Sequence, residues 1–165
     1  MSEDATQDQD PLDDRPQVRI FTLADYVADE ASGKLYISGA GLEWTAVVAR
    51  PDPDAPDDRR HLLSFSVIIR LAFPRAIARP THTIEVLALN RDGVEVGPPK
   101  SLIEAQMRFD LKRAPRDFTE VSGNLPAQVV NYPVNIEPDD VIFLHLLVDG
   151  VLVSRLPVQL RPADF

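Results

Sequence analysis

Ile103-Glu104-Ala105-Gln106-Met107-Arg108-Phe109-Asp110-Leu111-Lys112 alternates apolar and polar residues without a break. In an extended chain Ile103, Ala105, Met107, Phe109 and Leu111 point one way. Glu104, Gln106, Arg108, Asp110 and Lys112 point the other way. A period of two belongs to a strand with one face on a core and one in water. Ser64 to Leu71 repeats the pattern, with Phe65, Val67, Ile69 and Leu71 inward and Ser64, Ser66 and Arg70 outward. Ile68 breaks the outer face.

Outward from these two stretches the period stays at two, and no helical stripe is visible. Val18–Tyr26, Lys34–Gly39 and Thr81–Leu89 read as strands. Thr81–Leu89 runs into Asn90-Arg91-Asp92-Gly93, a short hairpin loop with Gly93 at positive φ, which leads to Val94-Glu95-Val96. Gln128–Ile136 alternates but contains Pro133, which cannot donate to a ladder. That strand is therefore expected at an edge or with a bulge. Val141–Val148 and Val151–Leu160 flank Asp149-Gly150, a two-residue hairpin signal. The count is about eight or nine strands, which predicts an all-β antiparallel β-sandwich, with a jelly roll or flattened barrel as alternatives. Arg50–Arg60 and Arg113–Leu125 read as irregular connections, and Gly97-Pro98-Pro99 as a stiff strand end. Gly39 and Gly41, before Trp44, mark a bulge or tight corner rather than a phosphate loop, since no third glycine and no helix follow.

The chain has 165 residues, enough for one domain with a sizeable core. Residues 1–16 hold six acids against Arg15 alone, which leaves −5 of the chain's −9. Such a segment has too little apolar surface to offset its ordering entropy, so 1–16 is expected to be a disordered acidic tail and 17–165 a single sandwich domain. The tail carries no basic start followed by an apolar run, so it is not a signal peptide, and no stretch reaches the ~18 apolar residues of a membrane span. The expectation is a cytoplasmic protein without a membrane partner. The acidic balance argues against nucleic acid, which needs a basic patch. Absence of Cys excludes thiol nucleophiles and Cys-ligated metals.

Asp52, Asp54, Asp57 and Asp58 could offer carboxylates to a calcium ion, which takes about six to eight oxygens. Interleaved prolines and Arg50, Arg59 and Arg60 favour a solvated loop instead. Asp139-Asp140 reads as a turn start. Ser38 and Ser122 lie in turn-like contexts with no assignable base. His145 sits within an apolar strand, where a hydrogen-bonded core histidine is the ordinary reading and a pH-responsive interface group the alternative. His61 and His82 carry no specific signal. Asp25, Asp117, Glu120, Asp139 and Asp140 are the carboxylates an enzyme of this sequence would have to use. No catalytic, cofactor or metal residue is assigned, no cofactor is expected, and the protein is read as not an enzyme.

Two strands are apolar on both faces. Val141, Phe143 and Leu147 oppose Ile142, Leu144, Leu146 and Val148, and Leu87 and Leu89 oppose Ile84 and Val86. A sandwich strand needs only one covered face, so a loop such as Arg113–Leu125 or another subunit is expected over the second.

Ala24-Asp25-Tyr26 and Gly33-Lys34-Leu35-Tyr36-Ile37-Ser38-Gly39-Ala40-Gly41 are followed by Trp44. Arg79-Pro80-Thr81-His82 then opens a strand ending at Asp92-Gly93. Together these resemble an uncharacterised bacterial family, largely actinobacterial, with the pattern A-D-Y … G-K-L-x-I-x-G-x-G. The resemblance covers residues 20–96. It implies a compact β domain of unknown function and transfers no site. The expected role is a non-enzymatic interaction or assembly module whose partner is itself, as a homo-oligomer, or another protein. The alternative is a small-ligand or carbohydrate-binding module, calcium-assisted, with Trp44, Tyr36, Tyr26 and Tyr132 as a stacking surface.

Overall fold

The centre of the molecule is β5 (His61–Pro74), a strand apolar enough on both sides to be covered on both. The computed structural model describes residues 14–24, 26–29, 35–38, 44–49, 61–98, 100–135 and 140–162. Along one side of β5 runs β8 (Glu120–Val134), antiparallel over its whole length. Along the other side lie β1 (Gln17–Ala24) and, nearer the start of β5, β4 (Trp44–Ala49). The second layer is β10 (Val151–Pro162), β9 (Val141–Val148), β6 (Thr81–Leu89) and β7 (Ile103–Arg108), hydrogen-bonded in that order. β4 pairs with β5 and also, in parallel, with the end of β10, so it carries one layer into the other. β2 (Tyr26–Asp29) and β3 (Leu35–Ser38) form a separate two-stranded sheet.

Inward residues of both layers share one core. Leu63, Val67, Ile69, Leu71 and Phe73 of β5 meet Ile84 and Val86 of β6 and Ile142, Leu144 and Leu146 of β9. Each side chain that leaves water there contributes roughly 1.5–3 kcal/mol, and this burial is the main term opposing chain entropy. The all-β antiparallel sandwich expected from alternation is the observed fold.

The outlier Ile68 has a physical explanation. It joins Ala24 and Val27 in a second buried cluster, with Ile20 packed against it. The start of β2 therefore covers the outer face of β5 at Ile68.

β8 is an edge strand on β5, and it also bulges. Leu63 faces Tyr132 and Phe65 faces Val129, which leaves Val130 and Asn131 opposite Ser64 alone. Asn131 takes a left-handed φ of 51° and donates its N–H to Ser64 Oγ at 3.0 Å. Asn tolerates that conformation better than most residues, and the bulge accommodates Pro133 two positions later. Both expectations for the Pro133 strand hold.

Four readings need correction. Arg113–Leu125 is not irregular throughout, because β8 begins at Glu120. The strand from Ile103 ends at Arg108, and a turn comes next in which Arg113 and Ala114 N–H donate to the Asp110 carbonyl. Val18–Tyr26 is divided between β1 and β2, and β4 is an additional strand. Asp92-Gly93 closes a turn with Gly93 at φ 78°, but the chain beyond it makes a single bridge, Leu89 to Glu95, rather than a strand.

Candidate functional site

The register of β6 on β9 places Ile84 opposite Val148, so the β9–β10 turn lies beside the start of β6. Asp149 and Gly150 make that turn, with φ of 50° and 80°. The Asp149 backbone N–H donates to the Thr83 carbonyl at 2.8 Å. Its side chain then reaches the three residues that open β6. Oδ1 accepts the Thr83 N–H at 2.9 Å, and Oδ2 accepts from His82 Nδ1 at 2.7 Å and from an Arg79 guanidinium nitrogen at 2.6 Å.

His82 is 3% exposed and its ring stacks on Phe73, with centroids 4.0 Å apart. Its Nε2 accepts the Arg79 backbone N–H at 3.0 Å. An imidazole nitrogen that accepts is unprotonated, so the proton sits on Nδ1 and points at Asp149. The pair has the look of an Asp–His relay, but the nitrogen that would take a proton from a nucleophile is already used by a backbone donor. Here the histidine locks a strand start to a turn.

Burial pushes the Asp149 carboxyl up. The hydrogen bonds from His82 and Thr83 and the charge of Arg79 outweigh this and hold it below its ordinary 3.8. A carboxyl depressed on folding contributes stability above its unfolded pKa and loses it as pH falls through the folded value. Stability should therefore fall as pH drops below about 4, more steeply in the wild type than in Asp149→Asn. Urea unfolding of both proteins at pH 6, 4 and 3 checks this, and parallel profiles would contradict it.

Beside this cluster opens a cleft of about 820 Å³. Phe73, Ile77, Val148, Val151 and Val153 supply apolar wall, and Arg15, Arg79, Asp14 and Asp149 supply charge. A second, more polar cleft of about 700 Å³ lies over Arg70, Ser122, Asp117, Phe118 and Glu120. Glu120 is held there by Arg19 at 2.9 Å.

A third surface is the outer face of β6, β9 and β10. Leu87, Leu89, Val141, Phe143 and Leu147 are half-buried and lie outside the core cluster. In register, Leu89, Phe143 and Pro157 form one row, and Leu87, His145 and Arg155 the next. Glu104, Glu85 and Leu147 form a third. Acids thus border the apolar strip on the β7 side and Arg155 borders it on the β10 side. His145 belongs to this face and not to the core, which corrects the core reading. Burial and the nearby Arg155 charge lower its pKa.

Other sequence candidates scatter. Asp117 and Glu120 meet in the second cleft with Ser122, while Asp140 is exposed at the start of β9. Asp25, Asp139 and the Asp52–Asp58 loop lie outside the described residues, and the side chains of Tyr26, Tyr36 and Trp44 are likewise not described. Tyr132 packs on Gly97, with its hydroxyl 3.5 Å from the Pro98 and Lys100 carbonyls, a packing role rather than a stacking platform. Among the described residues no three His, Asp or Glu side chains gather as a metal site, and no helix is long and apolar enough to cross a membrane. The His82–Asp149 pair had no sequence signal, because its members are 67 residues apart and only strand register joins them.

Residues 19–161 match a family described as a family of unknown function, DUF6941, well beyond the 20–96 stretch that carries the resemblance. No curated protein matches the chain. The chain belongs to the DUF6941 family.

Proposed function

We propose that this member of the family is a non-catalytic assembly module that pairs with a second copy of itself through the outer face of β6, β9 and β10. The observation that carries the reading is the charge arrangement around the apolar strip. Glu85 and Glu104 stand directly opposite each other across β6 and β7. Like charges in that position are destabilising, and a cation supplied from outside relieves them. Among the described residues neither Glu104 nor Arg155 is in an ion pair. A two-fold axis running along β9 lays the β6–β7 border of one copy over the β10 border of the other. Each Arg155 then comes within a side chain's reach of the partner's acids, Phe143 and Leu147 on the axis strand bury against their own copies, and Leu87 lies over the partner's β10. Such an isologous contact closes on itself and needs no other partner.

Sedimentation equilibrium of the full chain should give twice 18.3 kDa. Phe143→Glu should return the mass to 18.3 kDa with unchanged circular dichroism, because the substituted side chain lies outside the core cluster. R155E and E104R should each be monomeric alone and should form a mixed dimer when combined, since both charge contacts are then restored. A wild-type monomer, or a dimer indifferent to R155E, would sink this reading.

A further inference from the structure

We propose that the cleft between Phe73, the Asp149 turn and the start of β1 binds a small organic acid, with its apolar body on the wall and its carboxylate on Arg79 and Arg15. The cleft meets the self-association face only at Leu152, which stands opposite Leu147, and the inference does not rest on self-association. Three observations carry it. The first is the wall. Phe73 is fully buried at the base, while Val151 and Leu152 are 64% and 41% exposed at the rim. Large apolar side chains left open beside a concave apolar surface are what a bound apolar group would cover.

The second is the balance of unused hydrogen-bonding capacity. The cleft's charges cancel formally, Arg15 and Arg79 against Asp14 and Asp149, but their availability differs. Asp149 already accepts from Thr83, His82 and Arg79. Arg79 gives one nitrogen to Asp149, keeps its other donors, and is 63% exposed. Arg15 is exposed and makes no hydrogen bond among the described residues. A guanidinium has five N–H donors in a planar fork that matches a carboxylate. Asp14 is one acceptor left in the cleft, but the spare donors of two guanidiniums outnumber what it can accept, and the demand left is for a further acceptor that carries negative charge.

The third is preorganisation. The ion pair with Asp149 holds Arg79, and Asp149 is fixed by a buried histidine and a backbone N–H. Little side-chain freedom remains to be lost when a ligand docks on it.

Titration of the full chain with octanoate, followed by calorimetry and by amide chemical shifts, tests the assignment. Octanoate should bind saturably, moving the amides of Arg79, Val151 and Leu152. Octanol, which has the same tail and no charge, should bind about tenfold or more weakly. R79Q should bring octanoate down to the level of octanol. V151E, at an exposed position, should abolish binding of both while leaving the thermal midpoint unchanged. No saturable octanoate binding, equal affinity for octanol, or wild-type affinity in both variants would overturn the assignment.

Discussion

Asp149→Ala should lower stability by roughly 3 kcal/mol, among the largest effects available from a single surface-accessible side chain. The carboxylate is 29% exposed, but the groups it leaves behind are buried. Without it the His82 Nδ1–H, on a side chain 3% exposed, has no acceptor, and the ring cannot turn away because it is stacked on Phe73. A buried donor without a partner costs about 1–3 kcal/mol. The Thr83 N–H loses its acceptor as well, and alanine fits a φ of 50° poorly. For a chain of this size the thermal midpoint should drop by about 10 °C. Asp149→Asn keeps one acceptor oxygen and tolerates the left-handed conformation, so it should lose about half as much. If Asp149→Ala melts within a degree or two of wild type, the cluster does not brace the turn.

That cluster also shows where sequence reading stops. Asp149-Gly150 is legible as a hairpin because the turn chemistry is local. Asp149 as the acceptor for His82 is not, because it depends on Ile84 facing Val148. The start of β8 escaped for a related reason. Glu120-Val121-Ser122-Gly123-Asn124-Leu125-Pro126 is a poor strand sequence, with Gly, Asn and Pro in a row of seven. It is extended because β5 offers it a full ladder, from Pro74 opposite Glu120 to Ile68 opposite Pro126. Tertiary pairing overrides weak propensity there. Where alternation was strong, as at Ile103–Arg108 and Ser64–Leu71, local pattern and global fold agree. The two-sided apolar strands were legible as a feature. What covers the outer face of those two strands, β6 and β9, was not, and β2 covers Ile68 on a different strand, β5.

Gly97→Ala should destabilise the protein by about 1–3 kcal/mol, and the sign of that effect should reverse when Tyr132 is cut back. The Val96–Gly97 segment runs between the layers. Val96 N–H donates to the Ala88 carbonyl of β6, and Asn135 N–H donates to the Val96 carbonyl from the end of β8. Hydrogen-bonded on both sides, this backbone has no room to retreat. The Tyr132 ring lies directly on Gly97, and a Cβ there would sit 2.3 Å from Cε1 and 2.6 Å from Cζ. Tyr132 packs against the core and its hydroxyl lies 3.5 Å from the Pro98 and Lys100 carbonyls, so the ring has little freedom to move aside. Gly97 does not have positive φ, so alanine is conformationally acceptable, and the only penalty is steric. Removing a glycine also narrows the unfolded ensemble, which by itself stabilises by about 0.4–1 kcal/mol. In wild type the clash outweighs that gain. In a Tyr132→Ala background the clash is gone, and Gly97→Ala should become neutral or stabilising. A double-mutant cycle by urea unfolding should therefore give a coupling of about 1–3 kcal/mol. Gly123→Ala is the control. Its Cβ would meet Met107 at 2.5 Å, but a thioether side chain can swing away, so its cost should be smaller. Additive Gly97 and Tyr132 effects would show that the ring yields freely and that glycine is kept at this position for another reason.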